Sequence, residues 1–278
     1  MRGNRALLRA CCSLLVLGSC KDVSLGVDYM RWDGGTEGGF GTSGCGVEPP
    51  ATVATSMDFG GATRTFVLDV PAGYDKNRAY PAIFAYHGTV ISAAIFHDYV
   101  NIEAEVQGEG FVVTLDSEAG VAQGSWDTTT EPLFFDALLA QLRGDYCLDE
   151  HRIFVAGHGT GALIASTLGC LRGNVLRGIA PLSGANPPVG TCTGLIGVWI
   201  TQGNNDPDWL AGGRSVRDFW VGNNGCDGSQ SLPVDPSPCV EYAGCAAGFP
   251  VRYCEYDGTI EPPPFAASGI WDFFQGLN

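Results

Sequence analysis

The 278-residue sequence predicts an α/β fold, a doubly wound and mostly parallel sheet stabilised by disulfides. Three features carry that expectation. Short apolar runs with polar or glycine-rich ends alternate with segments whose apolar residues recur every three or four positions, the pattern of buried parallel strands joined by helices. A content of 45% apolar and 16% charged residues suits a chain long enough to bury one large core, and a second domain is not needed. Setting aside Cys11, Cys12 and Cys20 in the N-terminal segment leaves eight of the 11 cysteines, an even number in a chain that carries an export-type leader.

In chain order, Arg2, Arg5 and Arg9 precede an apolar run over 12–17 that is too brief to span a bilayer, so residues 1–19 read as a signal peptide. Leu17-Gly18-Ser19-Cys20 resembles a bacterial lipobox, which makes Cys20 the expected mature N-terminus and lipidation site. The alternative is an ordinary secretory signal cut nearby. Both place the protein outside the cytoplasm, as a cell-surface or outer-membrane lipoprotein or as a secreted chain. Residues 20–44 are glycine-rich with little apolar periodicity and read as a tether, leaving 45–278 for the folded domain. Residues 64–70 alternate like an exposed antiparallel strand and stop at the turn signal Pro71-Ala72-Gly73-Tyr74. The runs at 81–86, 111–115, 152–156 and 197–201 read as buried parallel strands. Helical spacing appears at 132–142 and 160–171, and an aromatic-rich helix is expected over 265–274.

Charge and cysteines narrow the function classes. The formal charge is −15, and removal of the three leader arginines takes it to −18, which disfavours nucleic acid and polyanionic ligands. Neutral polysaccharides and aromatic esters remain compatible. Cys45, Cys147, Cys170, Cys192, Cys226, Cys239, Cys245 and Cys254 lack metal-type C-x-x-C spacing or nearby histidine, so four disulfides are expected and no metal or cofactor is. Eight thiols allow 105 pairings, and the sequence does not choose among them. The C-terminal crowding of four of them marks a stapled loop region.

Gly157-His158-Gly159-Thr160-Gly161 has the frame of the G-x-S-x-G nucleophile elbow of α/β-hydrolases, with glycine where the serine belongs. The hydrolase order is nucleophile, acid, histidine, yet His87, His97, His151 and His158 all lie at or before the elbow and no histidine follows Asp206. Further pieces occur in a shared order: Cys45-Gly46, Pro71-Ala72-Gly73-Tyr74, Tyr86-His87-Gly88-Thr89, Gly124-Ser125-Trp126, Tyr146-Cys147-Leu148-Asp149, Ala180-Pro181-Leu182-Ser183-Gly184, Gly203-Asn204-Asn205-Asp206 and Tyr253-Cys254. Together they resemble exported feruloyl esterases and polyhydroxybutyrate depolymerases of carbohydrate esterase family 1, from about Cys45 to the C-terminus. The resemblance implies an α/β-hydrolase fold, a nucleophile at position 159, an acid at Asp206, a histidine at Ile260 and backbone oxyanion donors at Thr89 and Thr160. Gly159 and Ile260 therefore mark two lost catalytic groups.

The expected function is an esterase-like protein without hydrolysis that binds a carbohydrate ester or polyester fragment. His87, Trp126 and His158 are candidate ligand contacts, and Trp126, Trp209 and Trp220 are candidate aromatic platforms. A slow hydrolase with a rearranged site is the alternative; Thr160, Ser125 or Ser183 would then need a base that the sequence does not contain. A third reading is a structural or partner-binding surface lipoprotein whose stapled C-terminal half is the contact surface. Expected partners are a small-molecule or polysaccharide ester, no nucleic acid, and a membrane only through the lipid anchor; the expected state is a monomer. Whether the protein is an enzyme at all turns on positions 159 and 260.

Overall fold

The computed structural model describes residues 41–118, 125–184 and 186–277. The leader, Cys20 and the tether as far as residue 40 lie outside the described residues. Within them, one sheet contains β1 Ser56–Phe59, β2 Ala62–Asp69, β3 Tyr80–Tyr86, β4 Phe111–Leu115, β5 Leu148–His158, β6 Gly178–Leu182, β7 Gly197–Gly203, β8 Asp227–Pro233, β9 Cys239–Ala243 and β10 Val251–Tyr256. Their order is β1-β2-β4-β3-β5-β6-β7-β10-β9-β8. From β4 to β10 every neighbouring pair is parallel, whereas β1, β2, β9 and β8 add antiparallel edges. The central strands are apolar without interruption because both faces are covered, as in β3, where all seven residues are buried.

Helices α1 Ala93–Val100, α2 Ile102–Val106, α3 Glu131–Asp145, α4 Thr160–Leu171, α5 Leu210–Asn223 and α6 Ala266–Gln275 divide between those faces. Ala82, Phe84 and Tyr86 of β3 share a core with Phe134 and Phe135 of α3, Ile164 and Leu168 of α4, and Val216 and Trp220 of α5. Ile83 and Ala85, pointing the opposite way, share the second core with Phe96 of α1, Ile102 of α2, and Ile270 and Phe274 of α6. The aromatic residues of α6 face the sheet as expected, and the ring of Phe274 stacks on Phe154 at 4.3 Å. Trp220 is fully buried in the first core and is no ligand platform. Its position on α5, whose buried residues all face the sheet, is the physical reason.

The disulfides are Cys45–Cys147, Cys170–Cys192, Cys226–Cys245 and Cys239–Cys254. The last two staple the polar hairpin β8–β9 to the end of α5 and to β10. They hold in place an edge strand, β8, whose residues are all exposed and which lacks an apolar face. The folded domain starts before Cys45: Gly41 bridges Asp149, Thr42 donates its N–H to the Leu148 carbonyl at 3.1 Å, and the Gly44 N–H reaches the Arg143 carbonyl at 2.8 Å. A Cβ on Gly44 would lie 2.4 Å from the Tyr146 carbonyl oxygen. The boundary drawn from the sequence at residue 44 is thus several residues late, because glycines read as tether are glycines of close backbone packing.

Candidate active-site cleft

β5 ends at His158 and α4 begins at Thr160, so Gly159 alone makes the turn, with φ 56° and ψ −115°. That conformation is sparsely populated for any residue bearing a Cβ. The flanking glycines are required by space. A Cβ on Gly157 would stand 2.2 Å from the Gly161 carbonyl oxygen, and one on Gly161 would stand 2.1 Å from that of Tyr86. At Gly159 the situation reverses: the nearest neighbour of an added Cβ is the Gly88 Cα at 3.6 Å, an ordinary contact. The turn thus has the backbone and the room for a projecting side chain, and carries none.

The positions assigned to acid and histidine sit side by side. Asn204 and Asn205, after β7, donate their N–H groups to the carbonyls of Tyr256, the last residue of β10, and Gly258, just beyond it, each at 2.9 Å. Asp206 is 6% exposed. Its Oδ1 accepts the N–H groups of Asp208 and Trp209, each at 3.2 Å, while its enclosed Oδ2 has no hydrogen-bond partner. Burying a carboxylate oxygen without a donor is costly. Ile260 is half-buried in the adjoining loop. His158 Nε2 lies 2.7 Å from the Ile260 carbonyl oxygen, and the Tyr256 hydroxyl donates to the carbonyls of Thr259 and Glu261. One chain of hydrogen bonds therefore ties the elbow, the position-260 loop and the acid loop together.

On the other side of Gly159 lies the loop that leaves β3. His87 is fully buried. Its Nε2 accepts the Ser117 N–H at 3.3 Å, which fixes the tautomer in which Nδ1 donates to the Gly88 carbonyl at 2.7 Å. Burial pushes the His87 imidazole below the usual histidine range, against the raising effects of the Gly88 carbonyl and Asp116. Burial likewise lowers His158, against its bond to Ile260 and the field of Glu261. Both rings are buried and hydrogen-bonded to backbone carbonyls, not open contacts, so the ligand-binding role expected of them gives way to a structural one. His87 holds the loop carrying Gly88, and His158 holds the loop carrying Ile260. Asp116 joins this frame by accepting the Ala93 N–H at 2.7 Å, where α1 begins.

Trp126 donates from Nε1 to the His87 carbonyl at 2.9 Å and is half-buried, edge-on to Tyr86 at 5.1 Å. Trp209 is 40% exposed beside Asp206. Thr89 is exposed directly after Gly88, and Thr160 is the first residue of α4, at the positive end of the helix. Ser183 is buried, which leaves it poorly placed as an alternative nucleophile. Sequence reasoning missed Tyr256, Asp116 and the clamp by His158. The last spans 102 residues, and nothing local signals it.

No family model matches the sequence. Among curated proteins, a probable feruloyl esterase C of Aspergillus terreus is 28% identical over 84% of this chain and 91% of its own length. Feruloyl esterase D of Neurospora crassa is 28% identical over 85% of this chain and 91% of its own. Among solved structures, the acetyl xylan esterase from Aspergillus awamori superposes with a TM-score of 0.63 at 12% identity, covering 77% of this chain and 94% of that one. A Bacillus cereus carboxylesterase gives 0.53 at 17% identity, covering 77% and 95%. The fold is the α/β-hydrolase fold, and the sequence is similar to feruloyl esterases along most of its length.

Proposed function

We propose that this α/β-hydrolase, similar to feruloyl esterases, has given up ester hydrolysis and binds an ester ligand of carbohydrate or polyester type at Gly159. The observation that supports the reading is a kept frame with missing groups. Position 159 has the backbone and the space for a nucleophile but is glycine, position 260 is isoleucine, and Asp206 Oδ2 is left without a donor. Backbone donors do not depend on side chains, so amides at Thr89 and Thr160 still suit a carbonyl oxygen. The half-buried face of Trp126 suits a sugar ring or a ferulate-like group.

The full chain is expected to turn over methyl ferulate and aryl acetates no faster than buffer, and to bind methyl ferulate saturably by tryptophan fluorescence. Trp126→Ala is expected to weaken that binding about tenfold, equivalent to about 1.4 kcal/mol. Enzyme-like turnover that tracks the purified protein would overturn the loss of hydrolysis. Absence of saturable binding would overturn the ligand class.

We also propose that the leader is removed and that Cys20 carries a lipid anchoring the protein at the cell surface. The four disulfides accord with an oxidising, extracytoplasmic compartment. Mass analysis of the mature N-terminal peptide is expected to find acylated Cys20; an unmodified Cys20 or a different N-terminus sinks the anchor.

A further inference from the structure

A second cluster of reactive side chains lies away from the cleft, where β2 ends and α1 turns into α2. The turn is made by Asn101, which has φ 56° and donates its N–H to the His97 carbonyl at 2.9 Å. This left-handed residue folds α2 back, so that Glu103 returns to His97. Asp69, the last residue of β2, completes the group. His97 Nε2 is 3.0 Å from Asp69 Oδ2, and His97 Nδ1 is 3.1 Å from Asp98 Oδ1 and 3.6 Å from Glu103 Oε1. Asp69, His97 and Glu103 can each supply one donor atom such that the three atoms lie within 4.8 Å of one another. All three are half-buried, at 34%, 17% and 20% side-chain exposure.

Charge supplies an independent argument. Three carboxylates face one imidazole, so the group stays anionic even when His97 is protonated. Among the ion pairs of the described residues, every Lys and Arg partner is another carboxylate, and Asp69, Asp98 and Glu103 pair with His97 alone. The cluster holds more negative charge than the protein itself balances.

We propose that Asp69, His97 and Glu103 bind a divalent first-row metal ion, for which Zn²⁺ is the probe. One imidazole and two carboxylates are a donor set that such ions accept at about 2.0–2.2 Å, with water filling the remaining positions. His97 Nε2 faces the ion together with Asp69 Oδ2, Asp98 receives the Nδ1–H, and Glu103, which lies on the Nδ1 side of the ring at 3.6 Å, turns toward the ion to join them. An outer carboxylate of that kind fixes the tautomer and ring direction of a ligating histidine. The ion ties β2, α1 and α2 together. Asp69 pairs with Val112 near the start of β4, whereas Gly159, Asp206 and Ile260 follow the far ends of their strands. The role is therefore structural.

The test is calorimetric titration of the full chain with Zn²⁺, beside the His97→Gln and Glu103→Gln variants. One saturable Zn²⁺ ion that raises the melting temperature of the parent is expected, with affinity at least about tenfold weaker in both variants. Ca²⁺ is expected to compete poorly, because it takes oxygen ligands. Protons compete with the ion for the imidazole of His97, so Zn²⁺ affinity should fall as the solution is made mildly acid. No saturable binding in the parent overturns the proposal. So does equal binding in the variants, which would place the ion elsewhere, for instance on the thiols of the N-terminal segment.

Discussion

A Gly159→Ser, Ile260→His double variant is expected to hydrolyse methyl ferulate and aryl acetates about a hundredfold or more above the parent chain. The magnitude follows from how nucleophile and base act as a unit: losing either costs on the order of a million-fold in the subtilisin series, leaving only what the oxyanion donors and binding supply. Three features of this chain favour recovery. A side chain at 159 has open space, with an ordinary 3.6 Å contact to Gly88. The loop at 260 is anchored through backbone carbonyls, by His158 and Tyr256, so its path does not depend on the residue at 260. Asp206 offers an unpartnered Oδ2 to receive an Nδ1–H.

Each single variant should stay near the parent rate. A serine introduced at the elbow without a histidine is a weak nucleophile at neutral pH, and a histidine without a serine has nothing to activate. Labelling by an organophosphate, read by mass, separates failure of the nucleophile from failure of turnover. A folded double variant that neither turns over nor takes the label would show that position 260 is not the histidine position. The proposed divalent-ion site is untouched by that result, since neither substitution alters any of its ligands.

Much of this arrangement is legible in the sequence, and the parts that are not have physical reasons. β3, β4 and α4 match their expected spans closely because a strand covered on both faces must be continuously apolar, and a helix between two layers must repeat every three or four residues. β6 carries no clear strand signal because Gly178 and Pro181 interrupt five residues that are nevertheless all buried. α5 is hidden because Gly212 and Gly213 weaken its helical signal. Gly213 is required by close packing, since a Cβ there would stand 2.2 Å from Gln202 Oε1. At the cleft, the elbow is readable from three spaced glycines, whereas the fully buried His87 and Trp220 take roles other than those expected because residue type does not say which face a side chain takes. The cluster of Asp69, His97 and Glu103 is invisible in the sequence for the same reason as the His158 clamp. Residues far apart in sequence meet only after the chain has folded.

The glycines of the elbow should separate sharply in stability, and the order tests the geometry without reference to activity. Gly161→Ala is expected to cost about 3 kcal/mol or more, because its Cβ would meet three backbone atoms of Tyr86 and His87 at 2.1, 2.6 and 2.7 Å. Backbone cannot swing aside as a side chain can, so relief requires pushing α4 away from β3 through a core that is already filled. Gly159→Ser meets no such obstacle and is charged only for its backbone conformation, about 1–3 kcal/mol. Glycine at 159 removes that strain. Urea denaturation of the two variants should therefore give a lower midpoint for Gly161→Ala than for Gly159→Ser, and both below the parent. Equal midpoints would mean that the turn relaxes freely, and a rise for Gly159→Ser would remove strain as the reason glycine is tolerated there.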